Sequence, residues 1–146
     1  MRHVQALDAC DPATFNAAVG PGTCTRNGGA AILTSSLVRY KKHGRAAAWS
    51  FRPGQLKLQS GGSLLVTNRG GEDHTFTEVA NFGGGCVPAL NAILGLTPVP
   101  ERAVPVLFDR TLIEQGATLE VTGLTPGVHL FECLIHPWMR TTVTVR

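Results

Sequence analysis

Little in this chain of 146 residues points to a membrane, a nucleic acid or an unfolded state. No apolar run approaches the roughly eighteen residues that a bilayer-spanning helix needs. Charged residues make up 16% and leave a net charge of only +3, and the one basic cluster is Arg39-Tyr40-Lys41-Lys42. A short run of that kind reads as a solvated face, so nucleic-acid binding is not expected. There is no internal repeat and no low-complexity tract. The opening stretch Met1-Arg2-His3-Val4-Gln5-Ala6 lacks the long apolar region of a secretory leader. With 43% hydrophobic residues at this length, a single domain buries a core without leaning on cross-links.

Glycine and proline, by contrast, are plentiful, at seventeen and nine. Their scatter implies many turns and hence many short strands. Cysteine is scarce and unevenly placed. Cys10 and Cys24 flank a segment with the marks of one capped helix: Asp11 as N-cap, Pro12 in the first turn, Gly20 as the stop. A bridge between them closes a small loop and contributes about 3 kcal/mol. Such a bond needs an oxidising compartment, so a periplasmic or otherwise exported location is expected, with a signal segment once ahead of residue 1. Cys86, in Phe82-Gly83-Gly84-Gly85-Cys86, is then either a buried free thiol or a rival bridge partner.

The pattern divides into an amino-terminal extension, 1–45, packed on a β-domain, 46–146. Residues 30–43 place Ile32, Leu33, Ser36, Leu37 and Tyr40 at helical spacing, with Gly44 as a stop. From Ala46 the period turns to two, with Ala47, Trp49 and Phe51 on one face. Further strands are expected at 55–59, 63–68, 73–79, Val106-Leu107-Phe108, 118–121, 128–133 and 141–145. Residues 81–105 interrupt the rhythm with three consecutive glycines, a helical turn at 89–94 and Pro98, Pro100 and Pro105. Long ordered loops of this kind usually carry function or cover something. Seven or eight short strands at this spacing predict an all-β Greek-key sandwich or barrel.

The most informative stretch is Cys133-Leu134-Ile135-His136-Pro137-Trp138-Met139, directly after the alternating run Val128-His129-Leu130-Phe131-Glu132. It sets a thiol, an imidazole and a thioether at the end of a strand, where a short loop can aim all three at one point. Alternation places Cys133 on the face of Phe131, so the thiol points inward. An inward cysteine either stays protonated or meets a metal, because a buried thiolate without a cation is costly. Thiolate, imidazole and thioether are the donors of an electron-transfer copper site, which needs a second imidazole. His74, in Asp73-His74-Thr75-Phe76-Thr77, supplies it. Pro137 stiffens the loop and limits rearrangement between Cu(I) and Cu(II). His129 reads as a core residue or one behind the ligands, and His3 and His43 as solvated.

These residues resemble the cupredoxins, or type 1 blue copper proteins, with an upstream His followed by Cys, His and Met near the carboxyl terminus. The Cys-x-x-His-x-x-Met spacing with Pro-Trp inside it is most similar to amicyanin, pseudoazurin and plastocyanin-like members, over residues 46–146. Asn68, six residues before His74, suits the strand-end Asn of that family. The resemblance implies a cupredoxin-like β-sandwich holding one copper ion, with His74, Cys133 and His136 as strong ligands and Met139 as a weak axial one. It implies an outer edge of His136 that emerges through an apolar docking patch including Pro137 and Trp138, framed by residues 81–105. Two positions depart from the pattern. Thr75 stands where an Asn often ties the ligand loops together, and Asp73 brings an unexpected carboxylate near the metal.

The neighbours of Cys133, Glu132 and Leu134, are not the flanking histidines that wire a multicopper oxidase. The position four before it is His129, not the second Cys of a binuclear copper-A centre. The implied activity is therefore one-electron transfer by a non-enzymatic carrier. Its partner would be a redox protein such as a c-type cytochrome or a copper or quinoprotein enzyme. A monomer is expected. The competing reading is copper sequestration, delivery or tolerance, against which stands the scarcity of methionine: only Met1 and Met139. A zinc-bound structural domain is a third.

Overall fold

A computed structural model of the chain describes residues 1–25, 31–44 and 48–146. Ala30, Ala46 and Ala47, which entered the expected periodicity, lie outside the described residues. One sheet is built from Ser50–Arg52 (β2), Arg2–Leu7 (β1), Leu64–Asn68 (β4) and Thr118–Val121 (β8), in that order. The other runs Gln55–Leu58 (β3), Arg140–Val145 (β10), Gly127–Glu132 (β9) and Thr77–Val79 (β6). A short pair, His74–Thr75 (β5) with Leu112–Ile113 (β7), stands apart from both. Pairing is antiparallel except between β1 and β4 and between β3 and β10.

Period-two burial explains the sandwich. In β10, Thr141, Val143 and Val145 turn inward while their neighbours face out. Val4, Ala6, Phe51, Leu64 and Val66 of one sheet share a core with Leu56, Leu58, Phe131, Val143 and Val145 of the other. Each such apolar side chain stabilises the fold by about 1.5–3 kcal/mol relative to an exposed position. The all-β sandwich read from the sequence is the observed architecture.

Three expectations are amended. Residues 2–7 are not part of an appendage; β1 lies inside a sheet, with Val4 and Ala6 in the core. The stretch Val106-Leu107-Phe108 is helical, within Pro105–Thr111 (α4), because Pro105 pre-sets the first turn and three apolar residues carry no strand period of their own. The run 73–79 is two strands, since Phe76 turns its N–H to Thr111 O (2.9 Å) and the chain changes partner from β7 to β9.

The helices follow their expected signals. In Pro12–Val19 (α1), the Asp11 carboxylate accepts from Thr14 N–H at 3.0 Å, and the cap at Gly20 ends the helix. Leu33–His43 (α2) ends at Gly44, whose φ of 70° is the left-handed conformation that glycine tolerates best. Pro88–Leu94 (α3) lies in the 81–105 insertion, which folds back through Gly84 N–H to Thr97 O and Val99 N–H to Gly84 O. Among the described residues no helix is long and apolar enough to cross a membrane.

Candidate metal centre

Residues 133–139 connect β9 to β10 in a closed loop. Cys133 N–H donates to Met139 O at 3.1 Å and Met139 N–H to His136 O at 2.9 Å. His74 reaches the same place from β5. Its approach is set by Asn68, whose amide donates to Glu72 O (2.7 Å) and Ile113 O (2.9 Å) and whose Oδ1 accepts from Gly70 N–H (2.8 Å). Asp8, just beyond β1, fixes the next residues by accepting from Gly71 N–H (2.8 Å) and Glu72 N–H (3.2 Å). Glycine is required at 70, because a Cβ there would collide with the Asp8 carboxylate.

The three donor atoms meet in the interior. Cys133 Sγ lies 3.9 Å from His74 Nδ1 and 3.7 Å from His136 Nδ1, and all three side chains are fully buried. Two backbone N–H groups also point at the sulfur, from Thr75 (3.3 Å) and His136 (3.5 Å). Met139 is fully buried at the loop end. Thr75 ties the two ligand segments together, its hydroxyl accepting from Leu134 N–H at 2.8 Å.

Each imidazole turns its far nitrogen to a buried carboxylate. His74 Nε2 is 2.7 Å from Asp8 Oδ2, and His136 Nε2 is 3.1 Å from Glu72 Oε2. The second contact is an ion-pair distance without hydrogen-bond alignment, and Glu72 Oε2 also accepts from Trp49 Nε1–H at 2.9 Å. Burial opposes charge on both rings. Even so, Asp8 and the Cys133 sulfur raise His74, and Glu72 with the sulfur pushes His136 up to about 10. Burial likewise opposes a thiolate, but the two rings hold the Cys133 thiol well below the ordinary range. The cluster keeps a buried anionic sulfur that demands positive charge beside it. Asp8, Cys10 and Glu72 also lie together, but the Cys10 sulfur is committed to a disulfide with Cys24.

A roof closes the His136 side. Phe15 of α1 stacks on Trp49 (4.6 Å between centroids), and Trp138 meets His136 edge-on at 5.4 Å. The glycine run of the insertion also abuts the loop. Cys86 N–H donates to Leu134 O at 2.6 Å, and a side chain at Gly85 would strike that carbonyl.

No protein-family model matches the sequence, and no curated protein matches it. Among solved structures, a purple cupredoxin from Nitrosopumilus maritimus overlays on the whole of this chain and the whole of its own, with a TM-score of 0.50 and 16% identity. This chain has a cupredoxin fold. An amicyanin mutant in its Cu(I) form matches over 66% of this chain and 73% of its own (TM-score 0.43, 18% identity). The oxidised plastocyanin of Dryopteris crassirhizoma matches over 67% and 89% (TM-score 0.43, 19% identity).

The cupredoxin resemblance implied an exposed edge for His136, and the structure corrects this. His136 is 0% exposed, and Pro137 and Trp138 are buried with it. Phe15 of the amino-terminal segment packs 6.3 Å from the His136 ring, with Trp138 and Glu72 against the same ring. The carboxylate reading is corrected too. Asp73 is exposed and accepts from Gln115 N–H (3.2 Å), whereas Glu72, two residues before His74 on the same face, turns inward. That spacing was a usable signal for Glu72. Nothing local marked Asp8, which lies 66 residues from His74. His129 takes no part in the cluster and bonds Glu78 and Thr125 instead, while His3 and His43 are exposed.

Proposed function

We propose that this protein is a mononuclear type 1 copper carrier that moves one electron at a time between redox partners. His74, Cys133 and His136 serve as strong ligands and Met139 as the axial one. The observation that carries this reading is the pair of sulfur-to-nitrogen separations, 3.9 and 3.7 Å. A metal about 2.0–2.1 Å from nitrogen and about 2.3 Å from sulfur, with those bonds about 120° apart, separates the atoms by about 3.8 Å. Tetrahedral angles give about 3.6 Å, so both separations suit donors that share one ion, and the thiolate, two imidazoles and thioether are the donor set of a copper site. When bound, copper supplies a one-electron couple between Cu(I) and Cu(II).

The protein's own residues supply the rest. Thr75 and the loop hydrogen bonds hold the donors in place, the roof excludes water, and the buried ligand set leaves no place for a substrate. Electron transfer crosses a packed layer without contact, while ion exchange needs an opening. Full burial therefore favours relay over copper delivery. The Cys10–Cys24 disulfide supports an oxidising, exported setting. A c-type cytochrome, or a copper or quinoprotein enzyme, fits as partner. Stopped-flow reduction of the copper-loaded protein by a c-type cytochrome tests relay. Fast exchange is expected, and sluggish exchange would favour sequestration.

A further inference from the structure

The ligand imidazoles are usually considered by the nitrogen that faces the metal. Here the far nitrogens carry the unexpected chemistry. Asp8 and Glu72 are each about 1% exposed, and neither has a Lys or Arg partner among its hydrogen bonds and ion pairs within the described residues. Asp8 is satisfied by two backbone N–H groups and His74. Glu72 is less complete: its Oε1 is buried without a partner, as is His136 Nε2 beside it. Two orphaned polar atoms, one a potential donor and one an acceptor, lie on the two halves of one close contact.

Resting on the ligand assignment above, we propose that Asp8 and Glu72 are positioning residues that set the redox poise of the site. Asp8, hydrogen-bonded at 2.7 Å, fixes the proton of His74 on Nε2. Glu72, 3.1 Å from His136 Nε2 without an aligned hydrogen bond, favours the same tautomer by its charge. Each Nδ1 lone pair is left for the metal on a ring made a stronger donor. Together they set two carboxylates against the far nitrogens of the two ligand rings. In Cu(II) the metal offsets one more of those charges than in Cu(I), so both carboxylates favour the oxidised form in a site that water does not screen. The arrangement suits a carrier that loses its electron readily and is loaded by a strongly reducing donor.

The test uses the copper-loaded full chain with Asp8→Asn, Glu72→Gln and the double variant, which keep shape and remove charge. In spectroscopic redox titration, each single variant should shift the Cu(I):Cu(II) ratio at fixed ambient potential about tenfold toward Cu(I), equivalent to about 59 mV for one electron. The double variant should shift it further, and Asp8→Glu should recover part of the loss. A variant that fails to fold leaves a second readout on the parent protein. In the diamagnetic Cu(I) form, nitrogen NMR should place a slowly exchanging proton on Nε2 of both His74 and His136. Cu(I):Cu(II) ratios that stay within twofold of the parent in both single variants would overturn this proposal alone, whereas a proton on Nδ1 of either ring would overturn the ligand assignment as well. A parent protein that shows no thiolate-to-copper band overturns the ligand assignment and takes this proposal with it.

Discussion

Replacing Phe15 with alanine removes the ring that seals the roof above His136. Phe15 is fully buried, stacks on Trp49 with a 14° interplanar angle, and lies 6.3 Å from the His136 ring. Truncating a buried phenylalanine costs about 3–5 kcal/mol, through lost transfer energy and the cavity left behind. A domain of this size has a total stability of about 5–15 kcal/mol, so the variant should fold while losing a large share of its margin. That corresponds to a fall in Tm of about 10–15 °C. Urea unfolding followed by tryptophan fluorescence measures the loss, and an unchanged m-value would show that the unfolded state is unaffected. Val38→Ala, at a position 60% exposed, serves as control and should cost less than about 0.5 kcal/mol. Opening the roof should also speed removal of copper by a chelator. A loss below about 1 kcal/mol, with chelation as slow as in the parent, would refute the idea that the amino-terminal segment seals the centre.

The Cys10–Cys24 bridge spans a sequence separation of 14 and anchors both ends of the α1 segment. Changing both cysteines to serine should cost about 3 kcal/mol by urea unfolding, and no change would show that the bridge does not hold the roof. Cys86 is partly exposed, its thiol raised by burial, whereas Cys133 is fully enclosed. A thiol reagent on the native, metal-free protein should therefore label one cysteine, faster as pH rises, and a second only after unfolding. Two native labels would contradict the burial of Cys133. Burial pushes Glu132 up to about 7, against the Gly83 N–H and Arg140, so this carboxyl holds its proton more tightly in the folded state. Its stabilising contribution is full below about pH 4.5 and is lost as pH rises through about 7, on the order of 3 kcal/mol. Glu132→Gln should flatten the stability profile of the metal-free protein between pH 5 and 8, and an identical slope in both proteins would exclude the effect.

What the sequence disclosed follows the range of the interactions. Cys133, His136 and Met139 are neighbours in the chain, so one loop reveals their grouping, and His74 stood out as an imidazole in a second strand-like run. The α1 helix was legible because Asp11, Pro12 and Gly20 act locally. The roof was not. Asp8, Phe15, Trp49 and Glu72 meet only after β1 enters the sheet, and β1 has just Val4 and Ala6 to announce a strand. Val106-Leu107-Phe108 misled for the opposite reason: three apolar residues fit either period, and Pro105 decided for a helix.

Addition of one equivalent of Cu(II) to the metal-free protein, followed by visible absorption and electron paramagnetic resonance, tests the centre most directly. An intense thiolate-to-copper band should appear with a single copper signal, and both should vanish in Cys133→Ser while the fold remains. A colourless protein whose Cys133 is still reduced, or a copper signal that survives the serine variant, would contradict the assignment of this cluster as the electron-carrying site.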